Sequence, residues 1–94
     1  MNAQLAPAFI TKLKKQNIRT RKSFKKAFEQ FTKDSNASSL NNHALKRDWE
    51  GYRSIDINSD YRAVFEEVDD GEEKYAYFVT LGTHQELYKP PKSN

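Results

Sequence analysis

The stretch WEGYRSIDINSDYRAVFEEVDDGEEKYAYFVTLGTHQELY, from Trp49 to Tyr88, decides the fold of this chain. It contains three runs that alternate apolar with polar residues or are rich in aromatic and β-branched ones, namely Gly51–Ile57, Tyr61–Val68 and Lys74–Leu81. Turn residues separate the runs, Asn-Ser-Asp at 58–60 and Asp-Asp-Gly at 69–71, where the glycine can supply the positive φ of a tight hairpin. We therefore expect three consecutive strands that form an antiparallel meander.

Two helices are predicted ahead of this meander. The first spans residues 7–16 and has a proline in its first turn, where the missing N–H costs nothing. The second spans residues 18–33, and the asparagine before it is a typical capping residue. Phe24, Phe28 and Phe31 recur at i, i+4 and i+7 on one side of the second helix, so we expect their rings to pack against the sheet.

This order of elements predicts an α+β fold in which a helical hairpin covers one face of a twisted antiparallel sheet. The order reads (β)-α-α-β-β-β, because the sequence also allows a short first strand at Asn2–Leu5, and one helical turn at Thr83–Tyr88 can follow the meander. We expect a single domain over residues 1–88. Residues 89–94 (KPPKSN) are predicted to form a flexible tail.

Length and composition exclude several classes of protein. With 94 residues and 36% hydrophobic content, the chain has room for one small core. It contains no cysteine, which excludes disulfides and thiolate metal sites. No apolar run approaches the roughly 20 residues of a membrane helix, and the N-terminus lacks the order of a signal peptide. We expect a cytoplasmic protein that uses no membrane, metal or cofactor.

Charge is unevenly distributed along the chain. Residues 1–50 carry 11 Lys and Arg against 4 Asp and Glu, whereas the remaining residues carry 5 against 9. The basic side chains concentrate in a block without any acidic residue: Lys12, Lys14, Lys15, Arg19, Arg21, Lys22, Lys25 and Lys26. Such a block is typical of a surface that attracts phosphate groups or an acidic protein partner, although a solvated helix face has the same pattern.

A few side chains of the meander region can carry chemistry. His84 ends the last apolar run and His43 precedes the meander, and histidine can give or take a proton near neutral pH. Arg62 can grip a phosphate through its planar fork, or it can form an ion pair with Asp60 or with a glutamate. Tyr88 lies one helical turn after His84, where it can stack on a base or donate to a phosphate.

Two further tyrosines, Tyr52 and Tyr61, are alternatives for that stacking role. The two histidines do not form a zinc site, because no His, Asp or Glu cluster has ligand spacing. An enzyme built from this set must therefore work with His, Arg, Tyr and carboxylates. Metal-free RNA cleavage fits, because RNA carries its own nucleophile in the 2′-OH and the protein need only move protons and stabilise an anion.

Three segments resemble a known family. The runs H-A-L-K-x-x-W-x-G-Y-R-S from His43, D-Y-R-A-V-F from Asp60 and L-G-T-H-Q-E-L-Y from Leu81 are similar to the RelE/ParE superfamily of bacterial type II toxins, and most of all to its YafQ-like mRNA interferases. The similarity covers residues 43–88 well and is weak over the two basic helices. It implies a ribosome-dependent endoribonuclease that cuts mRNA in the A site through attack of the 2′-OH on the adjacent phosphate.

The resemblance also assigns roles by position. His84 corresponds to a catalytic histidine that acts as general acid for the leaving 5′ oxygen, and His43 to a histidine that YafQ-like members use in activity. Asp60 corresponds to an aspartate that acts as base or orients one. Arg62 corresponds to an arginine that stabilises the transition state, and Tyr88 to an aromatic residue that contacts the base.

This sequence departs from the family pattern at three positions. Asp56 stands where the YafQ pattern has a further histidine, Arg47 replaces a common glycine, and Tyr61 replaces a tryptophan. The division of acid and base roles among His84, His43, Asp60 and Asp56 therefore stays open. We expect the RNA and ribosome surface to comprise the eight residues of the basic block together with Arg53 and Tyr61.

The toxin interpretation implies an antitoxin partner that is acidic or partly disordered and that wraps residues 12–26. DNA would be contacted only indirectly, through the antitoxin complex. Two other interpretations stay open: a ParE-like toxin that inhibits DNA gyrase and cuts nothing, and a degenerate module that only binds RNA or the antitoxin. Because ParE-type chains lack the catalytic set, the joint presence of His84, Arg62 and Asp60 favours the nuclease.

Overall fold

The computed structural model describes residues 1–88, so the predicted tail at 89–94 lies outside the described residues. The fold is α+β, as predicted, with two helices ahead of a meander and a short helix at the end. The elements are β1 (Asn2–Leu5), α1 (Pro7–Lys14), α2 (Ile18–Lys33), β2 (His43–Ala44), β3 (Arg53–Asp56), β4 (Tyr61–Asp69), β5 (Lys74–Thr83) and α3 (His84–Leu87), with 3₁₀ turns at Ser38–Leu40 and Arg47–Trp49.

The sheet has five strands in the order β1-β5-β4-β3-β2. The pairs β3–β4 and β4–β5 are antiparallel, which confirms the meander. The sheet is mixed and not wholly antiparallel, because β1 pairs with β5 in parallel. The two helices return the chain to the far side of the sheet after β1, and such a crossover permits a parallel pair. The two-residue strand β2, which extends the other edge beside β3, was not predicted.

Two strand boundaries differ from the prediction by two residues, and the ends of β3 and β4 differ by one. Strand β3 begins only at Arg53, because Gly51 adopts φ +93° and the N–H of Tyr52 closes a turn onto the carbonyl of Trp49. Strand β5 continues past Leu81 to Thr83, which brings the end of the meander directly against α3. The predicted glycine turn between β4 and β5 is confirmed, with Gly71 at φ +90°.

The hydrophobic core lies between the helices and one face of the sheet. Phe78 on β5 is fully buried, and its ring meets those of Phe31 and Phe65 at centroid distances of 5.3 and 5.0 Å. Phe24 and Phe28 complete the predicted helical set, at 6.4 and 5.7 Å from the same ring. The expected packing of these phenylalanines is therefore confirmed.

The face of the sheet opposite the core carries polar side chains. Because directly paired residues point to the same side, Asp56 and its cross-strand neighbour Arg62 share this face with Ser54. Helix α3 lies over one end of it. A Cβ atom added to Gly82 would meet the Leu87 side chain at 3.4 Å, so α3 packs closely on the end of β5.

Candidate active site

Helix α3 begins at a fixed point because Thr83 and Glu86 form a capping box. The Thr83 N–H donates to Glu86 Oε1 at 2.9 Å, and the Glu86 N–H donates to Thr83 Oγ1 at 3.1 Å. The hydrogen bond from the Thr83 N–H, followed by that from the Thr83 hydroxyl, lowers the pKa of the Glu86 carboxyl below its usual range. These contacts set the position of His84, the first residue of the helix.

His84 and Tyr88 form a ring pair one helical turn apart, as their spacing predicted. Their ring centroids lie 4.6 Å apart in an edge-on arrangement. The Tyr88 hydroxyl lies 3.4 Å from Oγ of the buried Ser54, which directs the phenol back onto the sheet. The His84 side chain is exposed, so an imidazole supported by an aromatic ring faces solvent.

The segment from β2 to the 3₁₀ turn Arg47–Trp49 faces α3. The Trp49 indole Nε1–H donates to the Leu87 carbonyl at 2.8 Å and joins this segment to α3 across the chain. The Tyr52 ring supports the indole edge-on, at a centroid distance of 5.4 Å. A cleft is thus held between two walls that are distant in sequence.

His43 is oriented within this segment by one backbone contact. Its Nδ1 lies 2.8 Å from the carbonyl oxygen of Asn41. Because a carbonyl only accepts, Nδ1 must carry the proton. In the neutral ring Nε2 is then the basic atom, and the exposed side chain leaves it open to solvent.

The two walls enclose a cleft of about 420 Å³, within the size range of small-ligand sites. Its lining comprises His43, Ala44, Leu45, Lys46, Arg47, Asp48, Trp49, His84, Leu87 and Tyr88. The structure therefore brings together three of the predicted site residues, His43, His84 and Tyr88. Two proton carriers and a phenol on facing walls can exchange protons with a polar substrate between them.

Arg62 and Asp60 do not line this cleft. Arg62 Nε lies 2.9 Å from Asp56 Oδ1, and Nη1 donates to the carbonyls of Asn58 and Tyr61 at 3.1 and 3.2 Å. The expected ion-pair partners, Asp60 or a glutamate, are therefore wrong, because register places Asp56 directly opposite Arg62. Asp60 is exposed in the turn before β4 and so does not share a strand face with Arg62.

The Arg62–Asp56 contact is an ion pair without a directed hydrogen bond. Asp56 Oδ1 is buried and receives no hydrogen bond from the described part of the chain. The charges attract at this distance even so. Arg62 is therefore committed to the turn and strand around it.

The basic block lies outside the cleft. Seven of its eight side chains are exposed on α1, on α2 or on the segment between them, whereas Lys12 is half-buried with Nζ 3.5 Å from Thr80 Oγ1. Arg53 donates from Nε to Asn42 Oδ1 at 2.9 Å, and Tyr61 packs against the core. No residue of α1 or α2 lines the cleft, so a candidate docking surface and a candidate chemical site are separate.

Seven residues of the cleft lining were not predicted as site residues, among them Lys46, Arg47 and Trp49. Trp49 was noted only as part of a family motif, although a tryptophan in a polar segment needs a partner for its N–H. Arg47 carried the clearer signal, because it replaces a glycine. Its φ is +59°, in the left-handed region that glycine prefers.

No group of three or more His, Asp or Glu side chains within residues 1–88 is arranged to hold a metal ion. Over the same part of the chain, none of the helices has the length and apolar character required to cross a membrane.

Comparison with solved structures finds chains of the same fold, among them bacterial toxins. The chain is similar to YafQ from Escherichia coli strain BL21(DE3), with a TM-score of 0.71 and 19% identity over 93% of this chain and 97% of that one. It is also similar to a YoeB/ParE toxin from Agrobacterium tumefaciens (TM-score 0.68, 17% identity, 89% of this chain and 99% of that one). A third similar chain comes from the toxin-antitoxin complex RelBE2 of Mycobacterium tuberculosis (TM-score 0.60, 16% identity, 88% and 96%).

In sequence alone, no family model matches the chain, and a search of the curated proteins finds no match. The resemblance expected from the three motifs is confirmed at the level of the fold, which is that of the RelE-like toxins.

Proposed function

We propose that this protein is the toxin of a type II toxin-antitoxin system and acts as a ribosome-dependent mRNA endoribonuclease. The observation that carries the proposal is the cleft in which His43 on one wall faces α3, with His84 and Tyr88, on the other. The RelE-like fold supports it, since one similar solved chain is named as a YoeB/ParE toxin and another comes from a toxin-antitoxin complex. The substrate is the mRNA codon in the ribosomal A site.

The reaction needs two proton transfers. A base removes the proton of the 2′-OH, whose oxygen attacks the adjacent phosphorus and forms a 2′,3′-cyclic phosphate. The bond from phosphorus to the 5′ oxygen breaks, and an acid protonates that oxygen. His43 can act as base through Nε2, since its Nδ1 proton is held by Asn41. His84, exposed at the start of α3, then serves as acid.

Tyr88 positions the substrate in this proposal. Its ring already contacts His84, so a base stacked on its free side would bring the phosphate beside the imidazole. The catalytic roles expected for Arg62 and Asp60 stay predictions. Neither residue lines the cleft, and any effect that they have on the reaction passes through the turn that they border.

The partner in the resting state is a cognate antitoxin. The exposed lysines and arginines of the basic block suit an acidic or partly disordered chain, and the similar RelBE2 chain comes from a toxin-antitoxin complex. The same surface suits the phosphates of ribosomal RNA. An antitoxin on this surface therefore competes with the ribosome.

The test is a reconstituted translation reaction in which mRNA 5′ ends are mapped with and without ribosomes. We expect cuts inside codons only when ribosomes are present, with 5′-hydroxyl ends. An mRNA that carries 2′-deoxy nucleotides at the cut codon should resist cleavage, because it lacks the nucleophile. Toxicity in cells without any cut mRNA would overturn the proposal and favour a toxin that acts without cleavage, such as a gyrase inhibitor.

A further inference from the structure

The side chain of Arg62, the arginine expected at the scissile phosphate, is already engaged in contacts within the protein. Its Nε faces Asp56 and its Nη1 binds two backbone carbonyls, and it lies outside the cleft lining. A guanidinium must give up such contacts before it can bind a substrate, and Asp56 and the turn would be left uncompensated. The cleft therefore needs its cation from another residue.

Arg47 lies on the wall of the cleft that also carries His43 and faces His84 and Tyr88. Its side chain is exposed and makes no ion pair or hydrogen bond with any other side chain described for residues 1–88. The other charged residues on this wall are Lys46 and Asp48, whose charges are opposite in sign and cancel. Arg47 therefore leaves the wall with a net positive charge.

The backbone of Arg47 is unfavourable for an arginine. At φ +59° the chain bends out of β2 so that Trp49 can reach the Leu87 carbonyl on α3. Glycine fits such a bend without strain, whereas a side chain with a Cβ costs free energy there. Strained residues are retained at functional sites when the side chain contributes something that a relaxed residue cannot.

We infer that Arg47 is the phosphate-binding residue of the cleft and contacts the substrate phosphate that lies between His43 and His84. This inference rests on the proposed function for the class of substrate. The planar fork of arginine suits two oxygens of one phosphate, and its charge stabilises the anion that develops during 2′-OH attack. Arg62 then keeps a structural role in the turn before β4.

Three variants at one position separate charge from backbone strain. Arg47→Gly and Arg47→Asn remove the charge and suit the left-handed backbone, whereas Arg47→Lys keeps the charge and the strain. The probe is a short single-stranded RNA with 2′-O-methyl groups, which binds but cannot be cut. NMR shifts of the His43 and His84 rings report binding in the cleft.

We expect Arg47→Gly and Arg47→Asn to bind this RNA about tenfold more weakly, with a salt dependence reduced by about 0.7 in the logarithmic slope. Arg47→Lys should bind more tightly than either. The thermal midpoint of Arg47→Gly should not fall, because glycine relieves the bend. Lys74→Ala, which removes an exposed charge at the far end of β5, is the control and should bind as wild type.

The inference would be overturned if Arg47→Gly and Arg47→Asn bound the RNA with the affinity and salt slope of wild type. It would also be overturned if the RNA changed the NMR shifts of neither histidine ring. The binding assay does not depend on cleavage. Failure of wild type to cut mRNA on the ribosome would therefore count against the proposed function, and failure of the Arg47 series to change binding would count against this inference alone.

Discussion

Arg62 Nε and Asp56 Oδ1 lie 2.9 Å apart on neighbouring strands, on the sheet face that α3 partly covers. The side chains are 19% and 28% exposed, so solvent screens the pair only in part. This contact explains why an arginine at the start of β4 is tolerated on a strand face. It also removes that arginine from the cleft.

We predict that Arg62 and Asp56 are energetically coupled. Asp56→Asn should lower the free energy of unfolding by about 1 kcal/mol, because Arg62 loses its counter-charge while the volume is kept. A double-mutant cycle with Arg62→Ala, measured by urea unfolding, should give a coupling of similar size. Asp60→Asn is the matched control, and its coupling to Arg62 should be within about 0.3 kcal/mol of zero. Strong coupling to Asp60 instead would refute the cross-strand pair.

The position of His84 should depend on pH through Glu86. The pKa of Glu86 is lowered in the folded state, so its capping contribution is complete above the usual glutamate range and is lost as the pH falls through the lowered value. We expect the NMR shifts that the Tyr88 ring imposes on His84 to collapse in that acidic window. Glu86→Gln should remove this dependence, because a neutral amide can cap without titrating.

Asp70 provides the control for general acid effects. Its pKa is also lowered, by the backbone N–H of Glu73 and then of Glu72, but it lies in the β4–β5 turn. Asp70→Asn should therefore leave the pH dependence of the His84–Tyr88 contact unchanged. If Asp70→Asn changes the pH dependence of this contact, or Glu86→Gln leaves it unchanged, the capping box does not position His84.

The hydrogen bond between Trp49 and Leu87 should hold the cleft walls together. Trp49→Phe keeps an aromatic ring and removes the indole N–H, which leaves the Leu87 carbonyl without that donor. We expect a loss of about 1 kcal/mol in the free energy of unfolding and a fall in mRNA cleavage with little change in ribosome binding. Tyr52→Phe keeps the ring that supports the indole and is the matched control. Full cleavage activity in Trp49→Phe would show that the walls do not need this bond.

The sequence predicted the meander and the helix that packs on it because both depend on local patterns. Alternation marked β3, β4 and β5, and the spacing of Phe24, Phe28 and Phe31 marked the buried side of α2. The parallel pairing of β1 with β5 could not be read in this way, since its register depends on contacts far apart in the chain.

The site was predictable only in part. His84 and Tyr88 meet because they are four residues apart on one short helix, which sequence spacing shows directly. The turn at 58–60 also implied that Asp56 lies opposite Arg62, a relationship that the expected ion pair of Arg62 with Asp60 or a glutamate overlooked. The approach of the 43–49 segment to α3 depends on the positive φ of Arg47 and on the Trp49 hydrogen bond, neither of which has a periodic signal.

The most direct measurement is the rate at which wild type and His84→Ala cleave ribosome-bound mRNA in a single turnover. Gln85→Ala, an exposed neighbour outside the cleft lining, controls for damage to α3. We predict that His84→Ala cleaves about 10²- to 10⁴-fold more slowly, the range for loss of a general acid or base, while it still binds the ribosome and Gln85→Ala cleaves like wild type. Cleavage by His84→Ala at the wild-type rate would contradict the assignment of this cleft as the active site.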